Sequence, residues 1–419
     1  MRMDSYLTDP VLREMYAAIR AQGALKAISL DITSKCNLRC SGCYYYAEGM
    51  DQVAVDRDDT RFDELLRSER ERGTNFVTVV GGEPALALGR LKKLHDNFRI
   101  NVATNGLIPI PLDGFETMPI GVAVWGDHGT DARLRGDGSK DLFATALANY
   151  RDDPRAFWYY TVAPGCAEEI ESVVEQCVDN GNRVLFNYYS DVARLGGELD
   201  YRHGFEAVRR EIDRMIARFP DRVFTTRYLN EVVTTGQLCG ESWGYNVCTN
   251  LSVDSPVNAK RLENGNPFNR HFRAVNADFS TTRRCCTGIS RDCASCFDTW
   301  EHFSWIMINM RKHLREPSLF AGWLATTFVF YLVNRMIDFE HGSRLLADPD
   351  VIRREYRAGR TRSSRRPIPC RCSPTFPRPW PGSIRECSHT SWGVFRCCAR
   401  TPLACHHSLR ACAPRSPTI

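Results

Sequence analysis

Between residues 27 and 189 the sequence holds six short β-like runs: Ala27–Thr33, Phe76–Val80, Arg99–Ala103, Ile120–Trp125, Phe157–Val162 and Arg183–Tyr189. Each is separated from the last by a segment that can hold a helix or a long loop. Strands alternating with crossovers imply an α/β fold with a parallel sheet. Some of the crossovers carry a clear helical period. Ile170, Val173, Val174, Cys177 and Val178 recur at i, i+3, i+4, i+7 and i+8, with Gly181 as a stop, so Cys177 is read as core. Ahead of the first strand, Leu12, Met15, Tyr16 and Ile19 mark an amphipathic helix that opens near Pro10. In such architectures chemistry gathers at the C-terminal ends of the strands. Those ends are the loop after Thr33, Gly81–Pro84, Thr104–Gly106, Gly126–His128, Ala163–Cys166 and Ser190–Asp191.

With 419 residues and 43% hydrophobic content the chain can bury a full core, and it reads as one large domain plus an appendage. Its net charge of +5 is unevenly spread. Residues 351–419 hold fourteen Arg, no Lys and only Glu355 and Glu386, a net +12; the first 350 carry 41 basic against 48 acidic residues, a net −7. An acidic body argues against nucleic acid as a partner, because backbone binding needs a basic face. Seven of the eighteen cysteines also fall in the last stretch, among Pro, Ser and Arg with no apolar period. That stretch reads as disordered or as out-of-frame translation and is assigned no chemistry. The apolar run Leu319–Val333 is shorter than the ~20 residues of a spanning helix and is followed by Asn334, Arg335 and Asp338. It is expected to be a buried helix, not a membrane segment. The N-terminus carries no apolar signal run, which reads as cytoplasmic. The expected divisions are a helical segment 1–26, an α/β domain 27–235, a cysteine-containing region with closing helices 236–345, and the tail 346–419.

Directly after the first strand comes Cys36-Asn37-Leu38-Arg39-Cys40-Ser41-Gly42-Cys43-Tyr44. Its C-x3-C-x2-C spacing supplies three thiolates and no fourth, which leaves one iron of a four-iron cluster open to another ligand. A zinc knuckle would want a closed set of four, and no histidine follows closely to complete one. The run resembles the signature of radical SAM enzymes. That resemblance implies a partial (β/α)6 barrel, a [4Fe–4S] cluster on Cys36, Cys40 and Cys43, and S-adenosylmethionine on the open iron, cleaved reductively to a 5′-deoxyadenosyl radical. Gly81-Gly82-Glu83-Pro84, after the second strand, is similar to the family's GGEP motif, which holds the amino group of S-adenosylmethionine; two glycines admit close backbone approach and Glu83 offers an acceptor. Thr104 and Asn105 stand where relatives carry a T-N-G turn, and Asp127 stands where a ribose contact is found. His128 and Arg133 are pocket candidates that a solvated loop explains equally. Arg135-Gly136-Asp137-Gly138 with Phe143 is read as structural.

A second cysteine group, Cys239, Cys248, Cys285, Cys286, Cys293 and Cys296, lies beyond the sixth strand. A C-x2-C pair with another cysteine seven residues ahead is soft-metal spacing. It is similar to the auxiliary-cluster extensions called twitch or SPASM domains, which implies a second [4Fe–4S] cluster on Cys248, Cys286, Cys293 and Cys296, with Cys285 exchangeable for Cys286. Zinc is the alternative metal. A non-ligating Cys239, Cys248 or Cys285 is a candidate hydrogen donor to a substrate radical, and Cys166 a weaker one.

The expected activity is hydrogen abstraction from a small polar metabolite (a sugar, aminosugar or nucleoside) in antibiotic or other specialised biosynthesis, leading to epimerisation, dehydration, dehydrogenation or decarboxylation. The expected partners are that small molecule and an electron donor such as flavodoxin or ferredoxin. Two alternatives stand beside it: a maturase of a ribosomal peptide, and a non-catalytic Fe–S or zinc scaffold.

Overall fold

The computed structural model describes residues 3–54, 59–190, 201–242, 248–263, 269–287 and 296–347. All of them belong to one compact unit. The Arg- and Cys-rich tail from residue 348 onward lies outside the described residues.

Six parallel strands form in chain order: β1 (Ala27–Asp31), β2 (Phe76–Val80), β3 (Arg99–Thr104), β4 (Ile120–Val124), β5 (Ala156–Val162) and β6 (Arg183–Tyr188). A short hairpin follows, β7 (Gln237–Leu238) and β8 (Glu241–Ser242), and then β9 (Ala274–Val275) and β10 (Thr282–Arg283). The main sheet runs β10-β9-β1-β2-β3-β4-β5-β6 and stays open. Each crossover from β1 to β6 steps to the next strand in the same direction, which is the order of a partial (β/α)6 barrel. The β3–β4 connection holds no helix; its residues Ile110, Phe115 and Met118 are buried instead, and Arg155 donates to the Ile110 and Pro111 carbonyls beneath it.

The two short strands β9 and β10 were not legible in the pattern. Two residues each are too few for a period, and they form because Ser29 and Leu30 of β1 present a free edge to Ala274 and Val275. The region expected as an appendage therefore shares the sheet of the barrel. Arg283 fastens it there, pairing with Asp31 at 2.9 Å where both side chains are buried. On the far edge, β6 is covered by residues 222–225, which exchange backbone bonds with Val184.

The strands sort their side chains by the period of two. Ile28, Leu30, Val77, Val79, Ile120, Val122, Trp158 and Tyr160 face the helices and are buried. Alternate positions such as Ser29, Thr78, Asn101, Ala123, Tyr159 and Asn187 instead line a cavity of about 530 Å³. The helix expected from the period that starts at Ile170 runs Ile170–Asp179 and buries Ile170, Val173, Val174 and Cys177, with Gly181 at φ +85° beyond its end. Helix Pro317–Val333 is apolar all round, and every residue from Leu319 to Val333 is buried. Its Phe330 packs edge-on to Phe76, Trp300 and Phe303, so the helix closes one end of the cavity. Among the described residues no helix is long and apolar enough to cross a membrane.

Candidate active site

The cysteine loop leaves β1 and folds over the turn that leaves β2. Thr33 accepts from the Gly82 amide at 2.8 Å and Lys35 accepts from the Glu83 amide at 2.8 Å. Both glycines are required by this contact. Gly81 sits at φ +126°, and a Cβ there would stand 2.5 Å from the Thr33 carbonyl oxygen; a Cβ on Gly82 would run into the main chain of Lys35 and Cys36. The GGEP-like turn is thus glycine-rich because the cysteine loop lies on it. Further along, the Leu38 amide donates to Cys36 Sγ, Tyr46 Oη donates to the Leu38 carbonyl, and Ser41 donates to the Leu134 carbonyl.

Cys36, Cys40 and Cys43 all line the cavity. Burial pushes each thiol's pKa up, that of Cys40 to about 12; Arg135 opposes the rise at Cys40, while Cys36 and Cys43 add to it. The three thiols therefore share one electrostatic neighbourhood, which opposes thiolate formation in the absence of a cation. Metal binding takes up thiolates and releases their protons. In donor type and in the ligand-sized space beside them these residues fit a cluster with one open iron. Their side chains do not converge on a single point, however: among the described residues no group of three or more His, Cys, Asp or Glu is arranged to hold a metal ion.

Glu83, expected to face an ammonium, is turned into the fold and is 1% exposed. Its Oε1 accepts from the Ala85 amide at 2.9 Å and from Thr104 Oγ1 at 2.7 Å, and its Oε2 accepts from the Asn105 amide at 2.8 Å. Burial raises its pKa, against those three bonds. The carboxylate ties the end of β3 to the end of β2. Thr104 and Asn105 line the cavity, and Asn105 Nδ2 donates to Asn37 Oδ1 in the cysteine loop at 2.6 Å. Pro84 is buried at the start of a short 3-10 turn and, like Glu83, is not among the lining residues. Asp127 caps helix His128–Arg135 through the Thr130 amide and also stands outside the cavity lining; its neighbour Trp125 lines it. His128 is engaged by Asp141 and Gln176, and Arg133 is exposed.

Arg135 emerges as a site residue that motif reading left as structural. It is 1% exposed, paired with Asp131 at 3.0 Å, and donates to the Ala123 and Asn105 carbonyls. It lines the cavity beside Cys40 and pins the ends of β3 and β4. Its i,i+4 spacing from Asp131 was the available signal.

The second cysteine group divides. Cys286 lines the same cavity as the first three cysteines, together with Thr249, Asn250 and Asp298. Cys248 and Cys286 both donate to Glu301, at 2.6 Å to Oε2 and 2.5 Å to Oε1. Cys296 packs against Tyr44, the residue after Cys43. Cys248 and Cys285 pack together with Leu251, and the cavity lining includes neither. Cys293 lies outside the described residues. Cys239 occupies the β7–β8 turn at φ +51°, near Tyr228 Oη, and Cys166 closes a local turn through the Ala163 carbonyl. Three thiols with a buried carboxylate between two of them suit zinc or an iron–sulfur cluster by donor type. Asp298, between Cys296 and Glu301, has its pKa raised to about 7 by burial and then by Glu301.

No protein-family model matches the sequence, and no curated protein matches it. The fold is similar to Streptococcus suis SuiB bound to precursor peptide SuiA, at 15% identity over 49% of this chain and 50% of that one, with a TM-score of 0.37. It is similar to anSMEcpe with bound AdoMet and Cp18Cys peptide, at 17% identity over 70% and 83%, with a TM-score of 0.43. It is also similar to the FeFe-hydrogenase maturase HydG from Carboxydothermus hydrogenoformans, at 13% identity over 80% and 85%, with a TM-score of 0.35. The chain spans about half the length of SuiB. With every TM-score below 0.5, what the chain does is decided by its own residues.

Proposed function

We propose that this chain is a radical SAM enzyme acting on a small polar metabolite. One observation supports the reading above the others: the C-x3-C-x2-C loop and the Gly81–Pro84 turn pack on each other beside a cavity walled by the inner faces of all six strands. Cys36, Cys40 and Cys43 would hold the four-iron cluster, and Cys248, Cys285 and Cys296, with Cys293, a second centre, which leaves Cys286 as a thiol in the cavity lining. When bound, the first cluster and S-adenosylmethionine supply reductive carbon–sulfur cleavage and a hydrogen-abstracting radical.

The protein's part is to position and to shield. Glu83 sets the Thr104–Asn105 corner, and Asn105 steadies the cysteine loop through Asn37. With its carboxylate occupied, Glu83 would leave the amine of S-adenosylmethionine to main-chain carbonyls of the lining residues Gly81 and Gly82. Arg135 keeps a positive charge beside the thiolates. Helix Pro317–Val333 closes the cavity with Phe330 and Tyr331 and excludes water from a reactive site. Cys286 replaces Cys239, Cys248 and Cys285 as the thiol placed to give a hydrogen atom to a substrate radical, to be restored by one electron and one proton from an external donor such as flavodoxin or ferredoxin. Epimerisation is the outcome such a thiol favours. A cytoplasmic location accords with this reduced chemistry.

Anaerobic reconstitution followed by iron and sulfide analysis tests the ligand assignment. Native protein should hold about eight irons, taken as two four-iron clusters. The Cys36→Ala/Cys40→Ala/Cys43→Ala variant should hold about four, and Cys248→Ala/Cys296→Ala should lose the other centre. Stoichiometric zinc in place of iron at the first site would overturn the proposal.

A further inference from the structure

Three inner-face residues stand in one row across β1, β2 and β3: Ser29 is in register with Thr78, and Thr78 with Asn101. Neighbouring strands lie ~4.8 Å apart, so the row presents two hydroxyls and an amide over about 10 Å. It lies two residues before Asp31, roughly 7 Å deeper than the strand ends where the cysteine loop begins. All three residues line the cavity. Ser29 is 1% exposed and Asn101 5% exposed, and Ser29 Oγ and Asn101 Oδ1 have no hydrogen-bond partner. Native folds rarely leave a buried oxygen unpaired without a use for it.

The amide's orientation is determined by its neighbour. Asn334 Nδ2 donates to the Phe330 carbonyl at 2.7 Å, so Asn334 Oδ1 must accept, and it does so from Asn101 Nδ2 at 2.7 Å. Asn101 is thereby held with its oxygen unspent. No charged side chain belongs to the row. The lining includes two charged groups: Arg135, already committed to Asp131 and two carbonyls, and Asp298 at the second cysteine group. The remaining wall is rich in rings, among them Phe157, Tyr159, Trp300 and Phe330.

We propose that Ser29, Thr78 and Asn101 form a deep polar subsite for the hydroxyl groups of an uncharged ring polyol of the pyranose or cyclitol kind. Ser29 Oγ can donate and accept, and Asn101 Oδ1 accepts from a ligand hydroxyl. The ring's C–H face meets the aromatic wall, which offers apolar contact without a counter-charge. The inference rests on the cavity being the substrate site of the proposed enzyme.

Titration of the full-length protein with methyl α-D-glucopyranoside tests it, with glucosamine and a cysteine-containing tripeptide as comparison probes and S-adenosylmethionine affinity measured in parallel. The expected result is saturable binding of the pyranoside, weakened at least tenfold by Ser29→Ala and by Asn101→Leu, with S-adenosylmethionine affinity within twofold of native in both. Ser29→Ala should melt no lower than native, because it removes an unpartnered oxygen. The subsite is overturned by absence of saturable pyranoside binding, by tighter binding of glucosamine or the tripeptide, by undiminished affinity in Ser29→Ala, or by a lowered melting temperature in that variant. Pyranoside binding without S-adenosylmethionine binding would sink the enzyme reading and leave the subsite standing; the reverse pattern would sink the subsite alone.

Discussion

Replacing Glu83 by alanine should unsettle the fold first and the cofactor site second. The carboxylate accepts three hydrogen bonds from Ala85, Thr104 and Asn105 in a place that is 1% exposed. Each donor left buried without a partner costs about 1–3 kcal/mol, and the Asn105 amide, being part-buried, falls toward the lower end. The expected loss is about 3–5 kcal/mol, a large fraction of the stability of an ordinary domain. Glu83→Gln keeps one acceptor oxygen but turns an NH2 group toward a donor; it should lose about 1–3 kcal/mol. Urea denaturation followed by tryptophan fluorescence measures both, and calorimetric titration gives S-adenosylmethionine affinity under conditions where each variant is folded. A Glu83→Ala protein of native stability whose only defect is weakened S-adenosylmethionine binding would refute this reasoning and restore the carboxylate as a ligand for the amine.

Gly82→Ala should cost about 1–3 kcal/mol through overpacking and reduce iron retention at the first site, because the added Cβ displaces Lys35 and Cys36; native iron content in a stable variant would contradict the contact. His302 is buried and neutral, its pKa lowered to about 4 by burial against the opposing bond to the Asp298 carbonyl. The unfolded chain binds the extra proton below about 6.5, so stability should fall as pH drops from about 6.5 toward 4, by at most ~3 kcal/mol. His302→Gln should flatten that part of the pH profile, and an unchanged slope would show that His302 is not its source. Cys286→Ala should abolish incorporation of solvent deuterium into product, whereas Cys239→Ala should not; the opposite result would move the hydrogen donor to the β7–β8 turn.

Much of the barrel was legible because its strands are spelled in period-two runs: the expected Phe76–Val80 strand has the observed bounds, and the other five differ by one or two residues at an end. The same period contained the inner-face row of Ser29, Thr78 and Asn101, which becomes visible only when the register across three strands is known. At the site, Cys36, Cys40 and Cys43 line one cavity because the three lie on one short loop, a proximity that their spacing already implies. Glu83 and Asp127 were read as ligand contacts because a motif names the residue and not the direction of its side chain. In the fold one is consumed by backbone donors of the next strand's loop and the other caps a helix. The union of Cys286 with the first three cysteines depends on β9 and the Arg283–Asp31 pair, and contacts so distant in sequence leave no local pattern.

The most direct test of the account is an anaerobic assay for 5′-deoxyadenosine with reductant and S-adenosylmethionine. The native protein should form it, and Cys36→Ala, Cys40→Ala and Cys43→Ala should each reduce it to the level of the protein-free control. Formation undiminished in any of the three, or no formation by a native protein that holds its full iron, would contradict the central claim.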